Sequence, residues 1–182
     1  MSAPLVVGLD LSITATGIAW ADGVTSTTGG PAKVGDHRLV NITHAVRAAC
    51  NISDDLAQRG PDLVVIEDLA SGHSKGVGLA AAQVMGAVKV ELLRAEDPYV
   101  LVSPATLKKF ATGKGNATKP EMAVALYKRT GLELANDNEV DAAWLRFAGL
   151  HALGHPQFDL PQAHVDALAV VEWPTTTREE AA

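Results

Sequence analysis

The sequence predicts an α/β fold with a mixed central sheet flanked by helices. Three observations carry this. Two short apolar runs, 4–10 (PLVVGLD) and 16–20 (TGIAW), come before any helical periodicity. Later runs of strand length, 62–66 and 99–102, alternate with stretches where apolar residues recur every three to four positions. Finally, acids stand where apolar elements end, Asp10 after the first run and Glu67 after the fourth, and the ends of strands in open α/β sheets collect functional groups.

The elements follow in order. The first two runs read as a hairpin, and Gly23, Gly29, Gly30 and Pro31 break the next stretch into turns around a third strand of uncertain limits. Asp36 then precedes Leu39, Ile42, Val46, Ala49 and Leu56, whose spacing predicts a helix of about five turns closed by Gly60-Pro61. Residues 62–66 (DLVVI) form a buried-type strand. The stretch 77–95 is helical, and Gly78, Ala82 and Gly86 recur on it at i, i+4, a stripe that lets a second helix, in this chain or a partner subunit, approach closely. Residues 99–102 (YVLV) are a strand, and Ser103-Pro104 opens a short helix through Phe110. Thr118 with Glu121 is a capping box for a helix over 119–130, and Asn136 with Glu139 opens another toward Leu153. Pro156 and Pro161 bound a connector before a short amphipathic helix over 162–171.

Length and composition narrow the class. With 182 residues, 47% hydrophobic and 20% charged, the chain fits one globular domain over 1–173, with 174–182 expected to be a disordered tail. No apolar run approaches the roughly 20 residues of a membrane span, and the first residues lack the charged region of a signal peptide. A single cysteine, Cys50, forms no internal disulfide and makes a thiolate zinc site unexpected. A reducing cytoplasm is therefore the expected compartment. The net charge of −6 argues against a nucleic-acid binder, yet it is unevenly spread: between 106 and 129, six basic residues face one acid.

The acids carry the chemistry. Asp10, Glu67, Asp137 and Asp141 would repel one another if they converged, unless cations neutralised them. Oxygen-only ligation suits Mg²⁺ or Mn²⁺, and a pair of such ions can activate water and stabilise the leaving oxygen in phosphodiester hydrolysis. On a helix, residues four apart differ by about 40° in azimuth and residues three apart by about 60°, so Asp137 and Asn138 both share a face with Asp141 while Glu139 points away. Taken singly, Asp10 is compatible with a strand-ending turn, Glu67 with a solvated loop and Asp137 with a favourable helix dipole. Asp141, beyond the first turn among apolar neighbours, needs a partner.

The stretch VVGLDLSITATGIAW (6–20), in which Gly17 follows Asp10 by seven residues, resembles the opening of RuvC-type Holliday junction resolvases. LVVIEDL (63–69) is similar to the strand carrying their second acid, and NEVDAAWL (138–145) to their final acidic helix. Order and spacing agree over 5–153, particularly with the short bacteriophage versions, which would work in a host bacterial cytoplasm. The resemblance implies an RNase H-like fold in a homodimer that recognises four-way DNA junctions and nicks two strands symmetrically, with divalent metal, two ions per active site. It assigns catalysis and metal binding to Asp10, Glu67 and Asp141. Where bacterial members place an Asp or His, this chain has Asn138, so Asp137 is the expected fourth carboxylate and Asn138 an alternative oxygen donor. A rival alignment through HVDALAV (164–170) would use Asp166, but it lies beyond the proline-bounded connector.

The resemblance further implies that helix 77–95, with Gly78, Ala82 and Gly86, is a dimer interface, and that Lys108, Lys109, Lys114 and Lys119 grip DNA, the Gly113-Lys114-Gly115 loop admitting a phosphate. Backbone contacts of this kind position DNA without reading its sequence. Bacterial enzymes often stack an aromatic residue just after the second acid; here that segment reads Leu69-Ala-Ser-Gly-His73, leaving His73 as the stacking candidate. Three other readings remain open: a non-cleaving junction-binding protein of the same fold, a nuclease acting also on forks or flaps, and an actin or sugar-kinase type of nucleotide binder in which Asp10, Ser12 and Thr14 face phosphate. The last requires far more chain.

Overall fold

The computed structural model describes residues 3–29, 37–51, 60–69 and 75–174, with only the backbone described for 75–77. Strands β1 (Val6–Asp10), β2 (Thr16–Ala19), β3 (Thr25–Thr28), β4 (Leu63–Glu67) and β5 (Tyr99–Val102) form one sheet in the order β3-β2-β1-β4-β5. The first three pair antiparallel, and β1, β4 and β5 pair parallel. The mixed sheet expected from the sequence is thus observed, with helices packed on both of its faces.

Period-two alternation in the central strands sorts their side chains onto two cores. Val6 of β1 with Leu63 and Val65 of β4 face α5 (Asp137–Ala152), beneath α3 (Pro104–Thr112) and α4 (Lys119–Thr130). Val7 and Leu9 with Val64 and Ile66 face the opposite side, covered by α1 (His37–Ala49) and α2 (Lys75–Arg94). Trp144 anchors the first core: it is fully buried, its indole N–H donates to the Met122 carbonyl at 3.2 Å, and Phe110 meets it edge-on at 5.9 Å. Burial with a satisfied polar tip is what makes a core tryptophan stabilising.

Local signals explain most boundaries. Ser103 accepts from the Thr106 amide at 3.1 Å and Pro104 starts α3, while Gly113 closes it at φ 83°. The Thr118–Glu121 capping box opens α4, with both reciprocal hydrogen bonds present. At α5 the Asn136 side chain accepts from the Glu139 amide at 3.1 Å. The reciprocal half of that box is absent, because the Glu139 carboxylate instead accepts from Thr25 and Thr27 of β3 at 2.8 and 2.9 Å. Glu139 does point away from the other acids, as its azimuth predicts.

Two expectations change. Helix α1 ends at Ala49 rather than continuing through Leu56, because Asn51 adopts φ 55°, a left-handed conformation that terminates helices. Asp36 and Leu56 lie outside the described residues, as do His73 and the tail beyond 174. The final helix is a single turn, α6 (Gln162–Val165), followed by a 3₁₀ turn (Asp166–Val170) that buries Ala167 and Leu168. On α2, Val84, Met85, Val88 and Leu92 face the sheet, while Ala82 and Gly86 are exposed alongside Leu79, Val90 and Leu93. A Cβ added at Gly86 would meet nothing within 4 Å, so no helix among the described residues packs there. Among the described residues no helix is long and apolar enough to cross a membrane.

Candidate active site

Strand register decides where the acids stand. Asp10 pairs with Gly17 across the antiparallel hairpin, so both point to the same face. On the other side, Leu9 pairs with Ile66, so the next residues, Asp10 and Glu67, are neighbours at the C-terminal edge of two parallel strands. The face they share is the one that carries α5. Helix α5 comes unusually close here: a Cβ at Gly8 would lie 2.1 Å from the Ala142 carbonyl oxygen, and one at Gly17 would lie 2.1 Å from that of Asn138. Glycine is required at both positions for the helix backbone to seat on the strands. This seating sets Asn138 and Asp141 over Asp10.

The result is a cleft of about 720 Å³, lined by Asp10, Glu67, Asn138 and Asp141 together with Lys108 and Lys119. Its rim includes Ser12 and Thr14 of the β1–β2 loop, held by mutual hydrogen bonds between Ser12 and Thr16 at 3.0 and 2.6 Å. Leu69, 39% exposed, lies at the same rim. Gly78, Ala80 and Ala81 of α2 wall the cleft, so Gly78 belongs to it while Ala82 and Gly86 face outward.

Electrostatics in the cleft are those of crowded, desolvated carboxylates. Burial, then the charge of Asp141, pushes the Asp10 pKa up to about 7, against a hydrogen bond with Glu67 and the charge of Lys119, which lower it. Burial, then the charges of Asp10 and Asp141, pushes Glu67 up to about 8, with Lys108 opposing. Burial also raises Asp141, with Lys119 and Lys108 opposing. Like charges in a low-dielectric cleft favour retained protons until a cation replaces them.

The fit to divalent metal is specific in kind. Among the described residues no three His, Cys, Asp or Glu side chains already close around one point. Magnesium does not need such a cage, since it usually keeps several waters and takes one or two protein carboxylates plus substrate phosphates. The paired Asp10 and Glu67, with Asp141 above them and Asn138 alongside, offer only oxygen donors from the acids and an amide oxygen, which suits a hard cation.

The other expected site residues scatter. Asp137 does not line the cleft; its carboxylate pairs with the Lys119 ammonium. Lys109 is exposed outside the cleft, about 100° round the helix from Lys108. Lys114 pairs with Glu121 at 3.4 Å beside a separate groove that Lys128 and Arg129 also line. Arg129 is drawn inward, its guanidinium over the Trp144 ring at 5.8 Å and donating to the Ala125 carbonyl at 3.1 Å. Asp166 accepts from Gln162 at 2.8 Å on the C-terminal turn, away from the cleft. Gly8 is the position that sequence reasoning missed. The available signal was its spacing of two from Asp10, which puts both on one face.

Comparisons with known proteins bear on the family and the fold. A family model described as crossover junction endodeoxyribonuclease RuvC matches residues 6–144. Among curated relatives, a crossover junction endodeoxyribonuclease RuvC of Nocardia farcinica is 24% identical over 134 residues, covering 71% of each chain. One of Carboxydothermus hydrogenoformans is 25% identical over 105 residues, covering 57% of this chain and 66% of the relative. A solved structure described as T. thermophilus RuvC in complex with Holliday junction substrate has a TM-score of 0.66 at 20% identity, covering 84% of this chain and 97% of that one.

Proposed function

The chain belongs to the RuvC family of crossover junction endodeoxyribonucleases, and from that premise we propose that it resolves four-way DNA junctions as a homodimer, nicking two strands symmetrically by divalent-metal-dependent phosphodiester hydrolysis. The observation that carries this reading is the gathering of Asp10, Glu67 and Asp141 under Lys108 and Lys119 in one cleft. Asp10, Glu67 and Asp141 would hold two divalent cations, Mg²⁺ or Mn²⁺. Of the two residues left open for the fourth position, Asn138 lines the cleft and Asp137 does not, which supports Asn138. Bound there, the cations neutralise phosphate charge and lower the pKa of water. The protein's own part is to hold the carboxylates together, orient the scissile phosphate with Lys108 and Lys119, and release the protons of Asp10 and Glu67 as metal enters.

A second copy would pack on the outward stripe of α2, where Leu79, Val90 and Leu93 are exposed beside Ala82 and Gly86. Exposed apolar residues spaced along one helical face favour burial against a partner. A reducing compartment such as the cytoplasm agrees with the single, buried Cys50. The test is incubation with a labelled mobile four-way junction, a fork and linear duplex, with Mg²⁺ or EDTA, beside Asp10→Asn. Symmetric, metal-dependent nicks confined to the junction and lost in the variant are expected. Equal cutting of the fork would make this a broader branch nuclease. Binding without cutting in Mg²⁺ or Mn²⁺ would make it a junction-binding protein.

A further inference from the structure

Among the described residues Lys119 and Lys108 are the basic ones that line the cleft, and the charge of Lys119 reaches both Asp10 and Asp141. Lys119 is not free to meet a phosphate unopposed, because the Asp137 carboxylate sits on its ammonium. Both partners stand on firmly fixed helix starts. Lys119 is the first residue of α4, immediately after the Thr118–Glu121 capping box. Asp137 is the first residue of α5, immediately after Asn136, whose side chain caps the helix and donates to Thr27 at 2.8 Å. The two side chains are 66% and 38% exposed, which leaves the pair hydrated and easily opened.

We propose that Asp137 is a latch on Lys119, an acid that offsets one phosphate contact at the cleft and so weakens the grip on DNA, leaving bound only a substrate with further contacts. The proposal rests on the DNA-binding role of the cleft given above. A duplex that meets Lys119 only through its backbone must displace the Asp137 carboxylate and accept its repulsion. A branched substrate seated over the carboxylates meets the same cost, and its further contacts keep it bound where duplex is released. Contacts to phosphate carry no sequence code, so a counter-charge on one of them lowers both affinities by the same factor and clears duplex from the protein at concentrations that still hold the junction.

The experiment is a double-mutant cycle with Asp137→Asn, Lys119→Ala and the pair combined. Binding of linear duplex and of a four-way junction is read by fluorescence anisotropy across a salt series, in EDTA and in Ca²⁺. In Asp137→Asn, duplex affinity should rise roughly two- to fivefold, the range that exposed ion pairs span. The slope of log affinity against log salt should steepen by about 0.9, the equivalent of one phosphate contact, and junction affinity should rise by the same factor as duplex affinity. The gain should vanish in the Lys119→Ala background.

A gain that survives without Lys119 would show Asp137 acting only through its own charge, and unchanged duplex affinity would remove the latch outright. Titration of Mg²⁺ alone by calorimetry gives an independent readout. If Asp137→Asn loses metal binding as Asp10→Asn does, Asp137 is a ligand and the proposal fails. The duplex cycle reads the latch even if the wild type shows no preference for junctions, a result that would overturn the junction reading instead; absence of any DNA binding would overturn both.

Discussion

Asp10→Asn should make the metal-free protein more stable, and increasingly so as pH rises. In the folded state Asp10 titrates near 7, against an ordinary value of 3.8, chiefly because it is buried and faces Asp141. A carboxyl whose folded pKa is raised takes up a proton on folding wherever the pH lies between the two values. Its contribution to stability therefore falls as pH rises from about 4 through 7 and is flat above. Three pKa units correspond to about 4 kcal/mol between the protonation states. Because Asp10 and Glu67 act on each other, the gain from removing one charge should be on the order of 2–4 kcal/mol at pH 8 and near zero at pH 4. For a chain of this length that is a rise in melting temperature of roughly 5–15 °C. Thermal melts of both proteins in EDTA at pH 5, 6, 7 and 8 measure it directly. Added Mg²⁺ should then raise the wild-type melting temperature more than that of the variant. A gap independent of pH, or a variant less stable at pH 8, would falsify the desolvated-carboxylate account of this cleft.

Other outcomes follow from the same geometry. Apparent Mg²⁺ affinity by calorimetry should rise between pH 6 and 8, by up to about tenfold per unit for each proton released, since Asp10 and Glu67 must ionise to ligate; a flat profile would mean that metal enters elsewhere. Gly17→Ala should cost about 1–3 kcal/mol in a melt and reduce junction cutting by about 100-fold, because its Cβ would press on the Asn138 carbonyl. Retained activity would show that α5 can shift without disturbing the acids. Leu93→Asp and Gly86→Leu change exposed positions of α2; Gly86→Leu should itself stabilise the helix by roughly 0.5–1 kcal/mol through its backbone, and both should shift sedimentation toward monomer. An undisturbed dimer in both would place the interface on another face.

Elements with punctuation were the legible ones. The strand 99–102 and the helix 119–130 have the bounds expected of them, because Ser103-Pro104, Thr118 with Glu121, and Gly131 at φ 73° act locally. The end of α1 was hidden, since the apolar spacing runs on in the sequence to Leu56 and only the left-handed conformation at Asn51 marks where the helix stops. Asp10 and Glu67 were legible as acids at strand ends, and Asp141 as a charge among the apolar positions of a helix; strand register does bring the first two together.

Helical phase was the part that sequence spacing left open. Asp137 and Asn138 are one residue, or about 100°, apart, and both share a face with Asp141 within the tolerance of a helical wheel. What selects between them is the contact of the α5 backbone with Gly8 and Gly17, two side-chain-free positions on neighbouring strands that fix the rotation of the helix. The same holds on α3, where Lys108 enters the cleft and Lys109 does not. The rotation that brings Asn138 into the cleft also turns Asp137 onto Lys119. A neutral residue among the acids and an acid on the cleft lysine are thus two consequences of one packing contact, and a substitution at Gly17 should disturb both together.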